Sequence, residues 1–473
     1  MKNFMGKNFL LDNEIAKALY HNYAANLPII DYHCHVSPKD IAEDLQYSNI
    51  TELWLSGDHY KWRAIRSNGI PEEMITGNAS DYDKFKTYAS LMPKLIGNPL
   101  YHWSHLELRR YFDCDLIISD ATCDEIWELT SEMLKSPEMS VRNLIKNSNV
   151  DILCTTDDPA DSLEYHKTIK DDPTFDVQVL PAFRPDKGLN INKKGIREYI
   201  AKLSQVSGIE ITDVKRLKQA YQSRIEFFDS MGCRTSDHGF DEYDSYIKPS
   251  EYKANVVFQQ ALATDGDDVT PEALAEFKTE MFTFLAAEYR KREWVMQIHY
   301  GVYRNGNTKM FKQLGPDTGF DTIGGSTIKI TDLIKLLDNF QNQNALPRTI
   351  LYSINHTDNE TVGAALGTFQ TSGDGMPQVI QGSAWWFNDT ISGMTAQMQS
   401  FANLSVFGNF LGMLTDSRSF TSYPRHEYFR RLMCNLIGTW AEDGLYPPDI
   451  EALATLTCDI SYNNAKNYFK FKV

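Results

Sequence analysis

The sequence predicts a single α/β domain of the (β/α)8 TIM-type barrel class, spanning residues 1–473, with a helical insertion after strand 1. Eight short apolar runs each end in a polar cluster, segments with helical spacing lie between them, and about 115 residues separate the first two runs. Strands that alternate with helices favour a parallel sheet, and eight strands favour closure into a barrel with its chemistry at their carboxyl ends. An open doubly wound sheet also alternates, but it gathers ligand groups at one switch point.

The predicted strands follow one another along the whole chain. The first four runs are residues 27–30, 150–154, 177–183 and 231–233, which lead into Asp31–His35, Thr155–Asp158, Arg184–Asp186 and Arg234–His238. The last four are residues 294–298, 349–354, 379–380 and 407–414, which lead into His299–Arg304, Asn355–Asp358, Gln381–Trp386 and Thr415–Arg418. The polar residues therefore come where a barrel places its active site.

Helices are predicted between the runs. Thr270, Pro271 and Glu272 provide an N-cap, a first-turn proline and an acidic first turn, and residues 207–228 also have helical spacing. The long gap after strand 1 is rich in aromatic residues with apolar periodicity, which predicts an ordered helical insertion over residues 41–147. An insertion that leaves the end of strand 1 is expected to lie over the carboxyl-terminal face of the barrel.

The composition excludes several classes of protein. Asp and Glu number 63 against 47 Lys and Arg, and the formal charge of -16 opposes non-specific attraction to nucleic acid or to an anionic membrane. The start of the chain has no signal-peptide core, and no stretch offers the roughly 20 apolar residues of a membrane span. The seven cysteines are widely spaced without a CxxC pair, so reduced thiols are expected. We predict a cytoplasmic protein with no nucleic-acid and no membrane partner.

The pair His33 and His35 is the first candidate for a metal site. Two residues apart on a strand, their side chains share one face, and neutral imidazoles are common zinc ligands. Strands one and eight are neighbours in a closed barrel, so Asp416 after the eighth run can meet both histidines, while His299 follows the fifth run. The alternative is a pair of hydrogen-bonded strand-end histidines without a metal.

Other candidates have competing structural explanations. Asp416 and Arg418 could assist proton movement on an anionic intermediate, or form a surface ion pair. Arginine forks suit a substrate carboxylate, and the two tryptophans could stack on a sugar or belong to the core. The strand-end candidates are Arg184, Asp237, His238, Arg304, His356, Trp385 and Trp386. In the insertion, physical reasoning gives no preference for His59 and Tyr60 over Tyr101 and His102, and the segment Tyr423–Arg430 is predicted to begin a helix.

Several longer motifs carry a resemblance to a known family. They are Asp31–Pro38, Trp54–Arg63, Thr155–Pro159, Pro181–Asp186, Gly232–His238, Gln297–Gly301 with Arg304 and Asn305, Gly382–Trp386, Thr415–Arg418 and Tyr423–His426. In this order they resemble the uronate isomerase (glucuronate isomerase) family of the amidohydrolase superfamily over nearly the whole chain. The resemblance implies a barrel with a helical insertion and an isomerase that interconverts D-glucuronate with D-fructuronate and D-galacturonate with D-tagaturonate.

The resemblance also implies roles for the candidate residues. One divalent metal ion, Zn²⁺ by preference, would bind His33, His35 and Asp416, with His299 as a ligand in some members. As our own mechanistic hypothesis on this basis, Asp416 with His59 assists ring opening, and Tyr60, ionised beside Arg418, carries the proton through a cis-enediol. The expected substrate-binding residues are Arg184, Arg304, Asp237 and Trp385. The expected partners are a small-molecule uronate and further copies of the chain in a homo-oligomer.

Two other functions remain possible at this point. A metal-dependent hydrolase of the sugar lactonase or deaminase type would use the same barrel with a metal-activated water, with Asp416 as its base. Hydrolases of this superfamily often carry a carboxylated lysine on the fourth strand, where this chain has Cys233 and Arg234. A non-catalytic sugar-binding relative is disfavoured, because all the candidate ligands and acid–base groups are present.

Overall fold

The computed structural model of the protein describes residues 3–241, 243–324 and 328–472, so both ends of the predicted domain lie outside the described residues. Parallel strands form two sheets. The first has the order β1-β2-β3, with β1 Ile29–Asp31, β2 Val150–Cys154 and β3 Gln178–Leu180. The second has the order β4-β5-β8-β9, with β4 Thr235–Gly239, β5 Val295–Tyr300, β8 Thr349–Ser353 and β9 Val379–Gln381. A short antiparallel hairpin pairs β6 Val302–Tyr303 with β7 Thr322–Ile323.

Backbone contacts extend beyond the two ladders. Phe183, just after β3, forms parallel bridges with Asp157 on one side and with Ser236 of β4 on the other. Near the end of β1, the amide of Asp416 donates to the carbonyl of His33 at 3.1 Å, and the amide of His35 donates to the carbonyl of Ser417 at 2.9 Å. The molecule therefore has a mixed α/β fold built on parallel strands.

Two of the predicted strands differ from the structure. The fourth strand is Thr235–Gly239, so Asp237 and His238 lie on the strand itself, and Cys233 lies in the turn before it. The prediction followed apolar character, whereas Asp237 is buried because it is paired with other polar groups. The eighth run forms no strand over residues 407–414: residues 407–409 make a helical turn, and Gly412 has a φ of +73°, which interrupts an extended backbone.

Helices fill the long gap between β1 and β2. After α1 Glu14–Leu19 at the start of the chain, this gap contains α2 Pro38–Ala42, α3 Ile50–Leu55, α4 His59–Ser67, α5 Asp81–Leu91, α6 Pro99–Phe112, α7 Cys123–Met133 and α8 Val141–Asn147. Asp58 begins α4 because its carboxylate accepts hydrogen bonds from the amides of Tyr60 (2.9 Å) and Lys61 (3.2 Å). This cap places His59 and Tyr60 in the first turn of the helix.

The remaining helices connect the strands or follow them. They are α9 Glu164–Lys170, α10 Asp186–Leu189, α11 Ile196–Ser207, α12 Val214–Ser230, α13 Glu251–Thr264, α14 Pro271–Lys291, α15 Thr308–Leu314, α16 Ile330–Asn342, α17 Asn359–Leu366, α18 Ile391–Leu404, α19 Pro424–Glu442, α20 Ile450–Cys458 and α21 Asn464–Tyr468.

The helix predictions are confirmed in one case and wrong in another. Thr270 caps α14 by accepting from the amide of Ala273 at 3.2 Å, with Pro271 in the first turn, as predicted. The segment 207–228 is not one helix: Gly208 ends α11 at a φ of +68°, and Asp213 caps a new helix, α12, through the amide of Arg216.

Apolar side chains from the strands pack against the helices in two buried clusters. One surrounds the first sheet, the helices between β1 and β2 and the C-terminal helices, and the other surrounds α11 to α14 and α16. Among the described helices, none is long and apolar enough to cross a membrane.

Candidate active site

A polar cavity of about 460 Å³ lies at the carboxyl ends of β1 and β5. Of the eleven residues expected to act as metal ligands, acid–base groups or substrate contacts, nine line it: His33, His35, His59, Arg184, His299, Arg304, Trp385, Asp416 and Arg418, with Trp386 beside them. The exceptions, Asp237 and Tyr60, lie behind residues that line the cavity. His238 is buried beside Phe282 and Tyr289, and His356 lies in a short helical turn after β8, so neither belongs to the lining.

Asp416 lies between the two histidines that follow β1. Its Oδ1 atom is 3.3 Å from Nε2 of His33 and 3.0 Å from Nε2 of His35. Both histidines come after the last residue of the strand, not on it as the sequence predicted, and Asp416 has a left-handed φ of 49°. Trp385 donates from its indole nitrogen to Oδ2 of Asp416 at 2.9 Å, which fixes the other carboxylate oxygen.

A second buried group adjoins the first through His33. Oδ1 of Asp237 contacts Nδ1 of His299 at 2.8 Å, and the two imidazole rings of His33 and His299 lie 4.8 Å apart. A carboxylate on Nδ1 selects the tautomer in which Nε2 is free to act as a ligand. In the described part of the chain, Nε2 of His299 is buried without a hydrogen-bond partner, and so is Nδ1 of His33.

These side chains fit a divalent metal ion. The possible ligand atoms of His33, His35 and Asp416 all lie within 4.8 Å of one another, and the same holds for His33, Asp237 and His299. Imidazole nitrogen with one carboxylate oxygen is a donor set that suits zinc and similar ions. The unpartnered nitrogen of His299 adds a further donor, since a buried polar atom without a partner is costly unless a ligand uses it.

The charges of this group suit the same conclusion. Burial opposes ionisation of Asp416, yet its contacts with His33 and His35 outweigh burial and hold the pKa of the carboxyl well below its usual range. Burial lowers the pKa of His35 to about 4. Against burial, Asp237 and Asp416 raise the pKa of His33, so a cation at this place would replace a proton. Deprotonated ligands are the forms that bind a metal.

The three arginines of the cavity differ in their pairing. Arg184 donates from Nε to Asp186 at 2.9 Å and lies 2.9 Å from Asp237 through Nη1. Arg304 donates to Asp241 at 2.8 Å and to Asp321 at 3.0 Å. Arg418 is exposed and forms no ion pair or hydrogen bond with the residues that the structure describes. Arg418 is therefore the cation best placed to meet a bound anion.

His59 and Tyr60 both lie next to the ring of Trp386. The His59 ring lies 5.0 Å from Trp386 and lines the cavity, and burial together with Arg418 lowers the pKa of His59. The Tyr60 ring lies parallel to Trp386 at 6.2 Å, and its hydroxyl is buried without a hydrogen-bond partner among the described residues. Trp386 itself has a left-handed φ of 55°. Tyr101 and His102, which the sequence could not distinguish from this pair, do not line the cavity.

Sequence reasoning missed part of the lining. The missed residues are Asp186, Asn190, Lys193, Gly239, Asp241, Asn305, Pro316 and Asp317. Asp186 stands in the polar cluster after the third run, so its position was the available signal. Asp317 lies in the chain between the strands of the β6–β7 hairpin, which no pattern in the sequence predicted. The bond from Trp385 to Asp416 was also not predicted, because it joins residues 31 positions apart.

Comparisons with known proteins agree over the full length of the chain. The sequence profile of the glucuronate isomerase family matches residues 1–469. The chain is 53% identical over 473 residues to a uronate isomerase from Lachnoclostridium phytofermentans and 50% identical over 473 residues to one from Endomicrobium trichonymphae, and each alignment covers 100% of both chains. A crystal structure of uronate isomerase from Thermotoga maritima superimposes with a TM-score of 0.92 at 34% identity, covering 99% of this chain and 100% of that one.

Proposed function

The chain belongs to the glucuronate isomerase family, and we propose that it interconverts D-glucuronate with D-fructuronate and D-galacturonate with D-tagaturonate. The observation that carries this proposal is the contact of His33 and His35 with Asp416 in a polar cavity that also holds the unpaired Arg418. A uronate is an anion with adjacent hydroxyls, and such a site can take both its negative charge and its oxygen atoms. The family and its relatives do not favour the hydrolase alternative.

The proposal includes the architecture that supports the site. We propose that the two sheets and the segment beside β1 complete a (β/α)8 barrel over residues 1–473. The bridges of Phe183 on one side and the backbone bonds of Asp416 and His35 on the other support this closure. The helices of residues 41–147 form the insertion over its carboxyl-terminal face, which is supported by the contact of His59 with Trp386.

His33, His35 and Asp416 would hold one divalent metal ion, of which Zn²⁺ fits the donors best, and Nε2 of His299 is a further possible ligand. When bound, the ion supplies positive charge that polarises substrate oxygens. Asp237 holds His299 through Nδ1, and Trp385 holds Asp416 through Oδ2, so both ligands keep their orientation.

Ring opening needs a group that accepts a hydroxyl proton and a group that returns it. His59 lines the cavity, and its lowered pKa keeps the imidazole neutral, so its ring can accept or relay a proton. Asp416 is ionised and offers a carboxylate oxygen on the same side of the cavity. We assign ring opening to these two side chains.

Isomerisation then removes the proton from C2 of the open aldose and delivers it to C1, while the hydroxyl proton on C2 moves to the oxygen on C1. We assign the carbon proton to Tyr60, whose hydroxyl is buried and has no other partner in the described residues. The cis-enediol that forms between the two transfers carries negative charge, which Arg418 can stabilise. Arg184, already paired with two carboxylates, and Arg304, already paired with three, orient the hydroxyls and the carboxylate of the substrate.

The first test is an assay of purified, metal-analysed protein with glucuronate and galacturonate, followed by NMR. An isomerase leaves the mass unchanged and forms a ketose, whereas a hydrolase adds water. In deuterium oxide, proton transfer should place deuterium at C1 of the ketose. Complete retention of the substrate hydrogen fits either a hydride shift or a transfer on the buried Tyr60 hydroxyl without solvent exchange, and the Tyr60→Phe variant distinguishes the two.

The second test compares Tyr60 with Tyr101, the other tyrosine of the insertion that the sequence analysis could not distinguish from it. Tyr60→Phe should lower kcat by about 10²–10⁴-fold, because it removes one acid–base group and leaves the metal ligands intact. Tyr101→Phe is the matched control and should keep kcat within about twofold of the parent. Metal content measured on both proteins should be equal, and equal kcat values would eliminate the tyrosine shuttle.

We also propose that the protein acts as a homo-oligomer in the cytoplasm. The seven cysteines, all unpaired in the structure, support a reducing compartment. Light scattering on the purified protein measures the mass of the assembly against the 54.1 kDa chain.

A further inference from the structure

Arg425 is a buried charge that the assignments above do not use. It lies in the first turn of α19, within the basic and aromatic segment that begins at Tyr423, and only 3% of its surface is exposed. Nη1 donates to the carbonyl of Thr415 at 2.9 Å, which is the residue before the metal-binding Asp416. Its Nε atom is buried and has no hydrogen-bond partner among the described residues.

The same guanidinium lies over the face of two aromatic rings. It is 4.2 Å from the ring centre of Trp103 and 5.6 Å from that of Tyr60. The Tyr60 ring therefore has two neighbours, Arg425 and the parallel ring of Trp386 at 6.2 Å. Cation–π contacts are strongest when the cation is desolvated, as Arg425 is, so this arrangement restricts the Tyr60 ring.

We propose that Arg425 is a positioning residue for the isomerisation: held by the Thr415 carbonyl, it fixes the Tyr60 ring and supplies the positive charge beside it. This inference rests on the proton-transfer role assigned above to Tyr60. It also joins the two functional parts of the site, because one side chain contacts both the segment of Asp416 and the helix that carries Tyr60.

The charges around Tyr60 explain why it needs a cation. Burial raises the pKa of the Tyr60 hydroxyl well above its usual value, and Asp389, Asp416 and Asp58 raise it further. Arg425 acts in the opposite direction. Of the other cations nearby, Lys61 pairs with Asp58 at 2.9 Å, and Arg418 is exposed in the cavity, where it can meet a bound anion.

The chain offers a matched control on the same helix. Arg431 is also buried, lies 4.1 Å from the ring centre of Tyr20, and donates to two backbone carbonyls, those of Lys7 and Phe9. It does not line the cavity and does not contact Tyr60. Substitution of Arg431 therefore reports what the loss of a buried, ring-stacked arginine does to the fold alone.

The test uses two readouts on the metal-loaded full-length protein. Arg425→Gln should lower kcat by about 10-fold or more with little change in KM, since it acts on proton transfer and not on substrate contacts. Independently of activity, 3,5-difluorotyrosine placed at position 60 can be titrated by ¹⁹F NMR, and its pKa should rise by about 1 in Arg425→Gln. Arg431→Gln should change neither readout, although it lowers the melting temperature.

The outcomes separate this inference from the proposed function. A fluorotyrosine pKa and a kcat that match those of the parent would overturn the role of Arg425. If the parent protein has no isomerase activity, the ¹⁹F titration still decides whether Arg425 acts on Tyr60. If Arg425→Gln does not fold, Arg425→Lys is compared with Arg431→Lys: we expect a lower kcat only in Arg425→Lys, and equal kcat values would overturn the proposal.

Discussion

Buried histidine and carboxylate side chains occur together in two places, at the cavity and next to the carboxyl end of β2, but their hydrogen bonding differs. In the cavity cluster, defined as His33, His35, His299, Asp237 and Asp416, two buried imidazole nitrogens have no partner within the described residues.

The closed cluster consists of Thr155 and Asp157, which follow β2, and His166 of α9. There the hydroxyl of Thr155 joins the other two side chains, at 2.7 Å from Asp157 and 2.8 Å from His166. The closed cluster does not line the cavity.

The same residue types therefore contribute to stability in the closed cluster and are available for ligand binding in the cavity cluster. A buried polar atom that has its partner contributes to stability, and one without a partner costs about 1–3 kcal/mol. The cavity also collects backbone strain, since Asn305, Trp386 and Asp416 all have left-handed φ values between 49° and 55°. The unpartnered atoms of the cavity cluster thus lower the stability of the fold and leave positions for a ligand. The closed cluster has no such cost.

The largest effect should follow removal of the carboxylate that the cavity histidines share. Asp416→Asn should lower kcat/KM by about 10²–10⁴-fold, because it removes the carboxylate that we propose as both metal ligand and acid–base group. Elemental analysis should show reduced metal content, and circular dichroism should show an unchanged fold. Full metal content together with unchanged turnover would contradict the assignment of Asp416.

In the closed cluster, Asp157→Asn should change the dependence of stability on pH. Burial raises the pKa of Asp157 from its ordinary 3.8 to about 7. As the pH rises from 4 to 7, the unfolded chain loses this proton and the folded chain keeps it, so the carboxyl's contribution to stability declines over this range. The rise in pKa from 3.8 to about 7 corresponds to a decrease of about 4 kcal/mol at most in the free energy of unfolding.

The asparagine variant lacks this decline, so it should gain stability relative to the parent between pH 4 and pH 8, measured by urea unfolding. Burial lowers the pKa of His166 to about 4, which makes its own contribution fall as the pH drops from 6.5 to 4. Because His166 lies 3.7 Å from Asp157, the comparison is made in a His166→Gln background, in which both proteins lack this contribution. A stability difference that stays constant with pH would show that Asp157 is ionised in the folded protein.

The smallest of these effects should come from the carboxylate behind the cavity. Asp237→Asn weakens the hold on Nδ1 of His299 and on Arg184, and such outer contacts typically change metal affinity or activity by about 10–100-fold. The measurement is metal affinity by competition with a chelator, alongside kcat. An unchanged affinity with a lower kcat would place His299 outside the metal site and leave it a role with the substrate.

Much of the site could be predicted from local sequence. His33, His35, His299 and Asp416 were found because each lies in the polar cluster that follows an apolar run, and that rule depends only on nearby residues. The fourth strand was misplaced, because Asp237 is polar and becomes buried only by pairing with Arg184 and His299. His59 and Tyr60 came from the family resemblance and could not be chosen on physical grounds.

The alternation of strands and helices and the helical caps follow from the sequence, because they depend on short-range periodicity. The chemical types of the possible ligands also follow from it, because they depend on side-chain chemistry. Only the tertiary structure decided which polar groups are satisfied by one another and which are left for a ligand. Arg425 shows the reason. It contacts Thr415, which is 10 residues away in sequence, and also Trp103 and Tyr60, which are 322 and 365 residues away. Only the packing of the chain determines that these side chains meet.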